Sequence, residues 1–257
     1  MADTVRGAAT RSTSTVVLLG CSLAAWIVTV WYALDMPAAP GTMGLGVLGF
    51  VALWTVMMAA MMLPSIHPVV SLYLQRLRSE PSRRVRDLRT GALVAGYLTT
   101  WSVFGVVAFG LARAGGTLAE REPTAATWVG AGALVAAGLY QFSPVKNLCL
   151  RHCRSPITLL LHYANVKGRT RDLQVGVRHG AFCVGCCWGL MVVLLVVGVM
   201  NLAWMAAIAA VVLVEKTWRY GPVFAKVLGV AIVAFALFVP SHPELLPGLH
   251  QSMAMSM

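Results

Sequence analysis

Five of the six cysteines in this 257-residue chain are grouped in patterns that suit metal or thiol chemistry. Cys183, Cys186 and Cys187 form a Cys-x-x-Cys-Cys run, and Cys149 and Cys153 flank His152. On a helix, residues three and four apart share a face. His179, Cys183, Cys186, Cys187 and Met191 therefore fall along one stripe. Thiolates, thioethers and imidazole are soft or borderline ligands, suited to Cu(I) or Zn(II) and not to Mg(II) or Ca(II). The bland alternative is that small cysteines pack a helix contact while the Cys149 pair sits in a loop. Cys21 stands alone in another apolar block and reads as an ordinary small core residue.

A second group of soft side chains is Met57, Met58, Met61 and Met62, where the spacing pairs Met57 with Met61 and Met58 with Met62. Thioethers bind Cu(I), and methionine also fills gaps between helices. If the helices are adjacent, Met61 and Met62 would sit nearest the cysteines. His152 and His179 adjoin cysteines and are candidate ligands, whereas His67 and His162 read as solvated loop histidines. Glu215 and Lys216 close an apolar block. An acid there is costly and so a functional suspect; the plainer reading is an interfacial ion pair with Lys216 snorkelling. The C-terminal stretch carries His242, Glu244, His250, Met253, Met255 and Met257, a soft-metal capture tail or a frayed polar end.

The elements that must position these residues are set by composition. The chain is 58% hydrophobic and 11% charged, with a mean hydropathy of +0.76. A soluble domain is roughly 45–50% apolar and about 25% charged. The apolar residues fall in blocks near the length that spans a bilayer. Seven such blocks run approximately 16–34, 44–63, 91–112, 127–142, 180–200, 202–214 and 223–239. Each must be helical, since backbone polar groups in lipid need partners within the segment. The expected fold is an all-α polytopic helix bundle forming one membrane domain over 1–257. The first block, preceded by Arg6 and Arg11 without a small-residue cleavage site, is expected to be a retained span.

The net charge of +11 is a topology signal here rather than a nucleic-acid footprint. Eighteen basic residues fall on one side of the blocks, and only Arg113 and Arg121 on the other. The positive-inside rule then places residues 1–15 in the cytoplasm and the 240–257 tail outside. The Cys-x-x-Cys-Cys run and the methionine run would both lie toward the cytoplasmic side, where disulfides are disfavoured. The turn at Asn201 makes the fifth and sixth blocks an antiparallel hairpin. No internal repeat with paired broken helices points to an inverted-repeat transporter. There is no Walker loop, dinucleotide fingerprint, His-Glu-x-x-His or nucleophile elbow, so no hydrolase or ATPase activity is expected.

Three stretches carry a family resemblance: Met57-Met58-Ala59-Ala60-Met61-Met62-Leu63-Pro64-Ser65, the run from Gly138 to Leu150, and Cys183-Val184-Gly185-Cys186-Cys187-Trp188-Gly189-Leu190-Met191. With Gly198 to Leu202 and Glu215-Lys216, they resemble the bacterial predicted metal-binding integral membrane proteins, over roughly residues 45–230. The resemblance implies a multi-pass inner-membrane protein that handles metal. It implies Cys149, Cys153, Cys183, Cys186 and Cys187 as candidate ligands.

Three functions follow. One is a soft-metal protein, with copper the first expectation and zinc the second, which transports the metal or delivers it to a membrane or metalloprotein partner. The second is a structural subunit of a larger complex, with Gly130, Gly132 and Gly138 allowing close helix approach. The third is a membrane thiol oxidoreductase using Cys183 and Cys186, since a Cys-x-x-Cys at a helix N-terminus yields a reactive thiolate. The bilayer is an expected partner in all three, and nucleic acid in none.

Overall fold

The computed structural model describes residues 2–35, 41–77, 80–155, 168, 170–242, 246 and 248–249, with side chains from residue 16 onward. His162, Glu244, His250, Met253, Met255 and Met257 lie outside the described residues. Among the described residues there is no strand, and eight α-helices carry the fold. They are α1 (Ala2–Asp35), α2 (Val47–Arg76), α3 (Arg83–Arg121), α4 (Pro123–Tyr140), α5 (Pro144–Arg154), α6 (Arg171–Val197), α7 (Leu202–Thr217) and α8 (Gly221–Phe238). A single 3-10 turn, Val239–Ser241, follows α8.

Five segments are long and apolar enough to cross a membrane: Val16–Asp35 in α1, α2, α3, α6 and Gly221–Ser241. The α4–α5 pair qualifies as a sixth when joined, although it bends by 61° at its break. Helix α7 corresponds to the sixth expected block, and its 16 residues fall short of a full span. Outward faces are apolar, as Leu23, Ile27, Trp31, Val103, Val227 and Leu237 show by their exposure.

Two helix boundaries differ from the sequence expectation for identifiable reasons. The second block was expected to end at Leu63, before Pro64, yet α2 runs through Pro64 and Pro68 to Arg76. Proline lacks the N–H that would bond the carbonyl four residues earlier. That carbonyl belongs to Ala60, and Ser22 of α1 donates to it from Oγ at 2.8 Å. A neighbouring hydroxyl thus replaces the lost donor, which is how a proline is tolerated inside an apolar helix. Helix α3 continues past the expected Ala112 to Arg121, absorbing the loop that carries Arg113 and Arg121. Pro123, fixed at a helical φ, then restarts the chain as α4.

Helix α6 is the centre of the bundle, packed by α3, α4, α5 and α7. Its contact with α3 is made through glycine. A Cβ on Gly96 would run into the carbonyl oxygen of Leu173, and one on Gly176 into that of Leu93. One turn on, a Cβ on Gly180 would lie 2.7 Å from Thr100 Oγ1. Small residues at these positions let two backbones touch, the packing mode of helices that gain little from apolar burial in lipid. Gly138 does the same for α4 against Gly229 of α8, while Gly132 faces open space. Gly130 and Gly138 therefore serve packing within the chain.

Candidate metal centre

The Cys-x-x-Cys-Cys run lies more than three turns inside α6, which starts at Arg171. The expectation of a cysteine pair at a helix N-terminus is thereby corrected: the basic stretch through Arg178 is helical and lengthens α6 at that end. The activating effect of the first turn does not reach Cys183.

Cys183, Cys186 and Cys187 are buried, and their sulfurs all lie within 4.8 Å of one another. Helical spacing causes this, because all three fall on the face that α6 turns into the bundle. The thiols of Cys186 and Cys187 reach back to the Cys183 carbonyl at 3.1 and 2.9 Å. Cys153 of α5 is buried too, with its sulfur 3.8 Å from that of Cys186. Helix α5 is amphipathic and amid its buried residues turns Lys146, Leu150 and Cys153 inward. Ser143 starts it by accepting from the Val145 N–H at 3.1 Å, next to Pro144 in its first turn. The two cysteine groups, some thirty residues apart in sequence, therefore meet at one sulfur–sulfur contact.

Two polar side chains contact the Cys183 sulfur. Lys216 Nζ donates to its sulfur at 2.9 Å and to Ser65 Oγ at 3.1 Å. The Tyr97 hydroxyl lies 3.0 Å from the same sulfur. Lys216 does not snorkel outward or pair with Glu215. Glu215 instead bonds Lys146 through both oxygens, at 3.0 and 2.8 Å, with the two side chains 2% and 1% exposed. The interfacial Glu215–Lys216 pair is thus replaced by two separate contacts, because adjacent residues on α7 point to different neighbours. Arg154 adds a bond from Nη1 to the Glu215 carbonyl at 2.8 Å.

The remaining candidates divide. His179 is buried one turn before Cys183, its ring 5.9 Å from that of Tyr97. Met191 is buried one turn beyond Cys187. Met57, Met58, Met61 and Met62 are all buried in α2, which reaches the cluster at Ser65, one turn past Met61 and Met62. Cys149 is half-buried, its sulfur 2.8 Å from where a Cβ on Gly185 would stand. His152 turns aside: its ring stacks on Phe182 at 4.3 Å and Nδ1 contacts the Leu148 carbonyl at 2.9 Å. Cys21 is exposed on α1, so the buried-core expectation for it is corrected.

Tyr97, Lys146 and Ser65 are site neighbours that the sequence reading does not single out. Lys146 is one of the eighteen basic residues that the sequence places on one side of the blocks. The signal available was its setting, a lone lysine between Pro144-Val145 and Leu148-Cys149-Leu150.

The donor set suits copper. Metal–sulfur bonds of about 2.3 Å place trigonal sulfurs about 4.0 Å apart, within the separation observed here. Buried thiol donors favour a soft ion. Comparison with known proteins points the same way: the family described as PpoB2, copper chaperone, matches residues 51–239. No curated protein and no solved structure matches the chain.

Proposed function

The chain belongs to the PpoB2 copper chaperone family, and from that premise we propose that it is a membrane-embedded carrier of Cu(I). It holds copper on Cys183, Cys186 and Cys187 and delivers it to a client metalloprotein. The single observation that carries this reading is the set of three buried sulfurs within 4.8 Å of one another on one helix face.

The surrounding residues have definite parts in it. Metal-bound cysteines are thiolates. Copper(I) on three of them leaves an excess of negative charge inside an apolar bundle, where unbalanced charge is costly. The Lys216 ammonium, 2.9 Å from Cys183 Sγ, offsets part of that charge. Tyr97 supplies a further polar contact to the same sulfur. His179 and Met191 bracket the cysteine stripe and close it at its two ends. The methionine run of α2 supplies weak, exchangeable thioethers. The buried Lys146–Glu215 pair ties α5 to α7 and holds Cys153 against Cys186.

The topology that fits this role has seven spans, with the bent α4–α5 pair and the short α7 completing the five full-length helices. The N-terminus and the cysteine layer lie toward the cytoplasm and the C-terminus lies outside. The 18-to-2 partition of basic residues supports this orientation.

The test is metal analysis of protein purified in detergent under reducing, anaerobic conditions, beside a Cys183, Cys186, Cys187→Ser variant. The expected result is near-stoichiometric copper in the parent and none in the variant. Zinc in place of copper would keep the site and change the cargo. An empty parent after Cu(I) is offered would end the proposal.

A further inference from the structure

Resting on the copper reading above, we infer that copper enters and leaves the cluster by thiol exchange along α5, from Cys186 to Cys153 and then to Cys149. Three observations support this path. The sulfurs of Cys186 and Cys153 are 3.8 Å apart, so one metal ion can touch both during transfer. Cys149 and Cys153 are one helical turn apart on α5, a spacing that puts Cβ atoms about 5–6 Å from each other. The Cys149 sulfur rests on Gly185, beside Cys186 in the chain, in space that any larger residue would fill.

Exposure rises steadily along this line. Cys183, Cys186 and Cys187 are 0–1% exposed, Cys153 is 9% exposed, and Cys149 is half-buried. Two other directions are occupied. The α3 side is sealed by backbone contact at Gly176 and Gly180 and by Tyr97 over Cys183. Lys216 of α7 and Ser65 of α2 occupy another side. Among the described residues, α5 alone continues the thiol series toward the surface.

Each step exchanges one ligand for another. A bond from Cu(I) to the Cys186 sulfur breaks as one to the Cys153 sulfur forms, and the incoming thiol's proton passes to the departing thiolate. The bond to Cys187 then breaks as one to Cys149 forms with the same proton exchange, the Cys183 thiolate is released beside the Lys216 ammonium, and the ion leaves as two-coordinate Cu(I) on Cys153 and Cys149, its oxidation state unchanged. At least two sulfurs hold the ion at every stage, so no bare ion is released into an apolar interior.

The experiment loads the detergent-purified protein with Cu(I) anaerobically and follows its capture by the chelator bathocuproine disulfonate in a stopped-flow instrument. Cys149→Ser is expected to hold the parental amount of copper and to release it at least tenfold more slowly. Cys149→Met, which keeps a soft donor, is expected to recover most of the rate, and Cys21→Ser to leave it unchanged. As a readout without substitution, N-ethylmaleimide on the loaded parent is expected to modify Cys149 and slow release without expelling copper. Parental release from Cys149→Ser would overturn the path. Loss of bound copper from that variant would overturn it too, by making Cys149 a resting ligand. A parent that binds no copper would instead remove the underlying copper reading, and the path with it.

Discussion

Lys216 Nζ stands 2.9 Å from Cys183 Sγ, closer than the 3.8 Å that separates the sulfurs of Cys186 and Cys153. A half-buried lysine aimed at a buried thiol is an unusual use of a cation. It gives the site a fixed positive charge that neither α5 nor α6 supplies to Cys183. A hydrogen bond to a charged group contributes roughly 1.5–3 kcal/mol. Lys216→Met should therefore weaken Cu(I) binding by about ten- to a hundredfold, with Lys216→Arg between the two. Competition against a coloured Cu(I) chelator at fixed pH reads this directly, and unchanged affinity in Lys216→Met would remove the charge-balancing role.

The Lys146–Glu215 pair is predicted to act on stability. Removing one member leaves a buried uncompensated charge, which costs about 3–5 kcal/mol. Glu215→Gln should lower the thermal midpoint in detergent markedly. The apolar double variant Lys146→Met, Glu215→Leu should recover much of that loss, since buried pairs are often replaceable by apolar residues. A double variant as unstable as the single one would contradict this account.

The bond from Ser22 to the Ala60 carbonyl is predicted to depend on Pro64. Ser22→Ala alone leaves a buried acceptor without its donor, at a cost of about 1–3 kcal/mol. Pro64→Ala restores a backbone N–H for that carbonyl. In the Pro64→Ala background, Ser22→Ala should therefore cost much less. Equal costs in the two backgrounds, measured by unfolding, would break the link.

His152 should be dispensable for metal. Its ring lies flat on Phe182 and its Nδ1 is engaged with the Leu148 carbonyl. His152→Ala is expected to retain parental copper content, whereas Cys183→Ser should not. Loss of copper from His152→Ala in a metal assay would show that the ring turns inward when copper binds.

Much of this arrangement was legible in the sequence. Strict three- and four-residue spacing placed Cys183, Cys186 and Cys187 on one helix face, because helix geometry alone decides which neighbours share a stripe. The all-α fold followed from long apolar blocks. Tertiary pairings were not legible. Nothing in the residue order says that the chain bends by 61° between α4 and α5 and that Cys153 meets Cys186. Adjacent residues Glu215 and Lys216 invite a reading as one unit, yet a helix turns successive side chains about 100° apart. They consequently meet α5 and α6 separately. The run of α2 past Pro64 was also hidden, since the compensating hydroxyl comes from another helix.

The glycine contact between α3 and α6 has a mechanical consequence. Two backbones that touch at Gly96 and Gly176 leave no side chains between them to slide or repack. These helices behave as a single spar, and the cysteine stripe is bolted to it. Helix α5 has a different attachment: it hangs from the bend after Tyr140 and is held to its neighbours by Lys146, Arg154 and Cys153. Any breathing near the cluster thus falls on the short helix, and the three sulfurs keep their spacing while it moves.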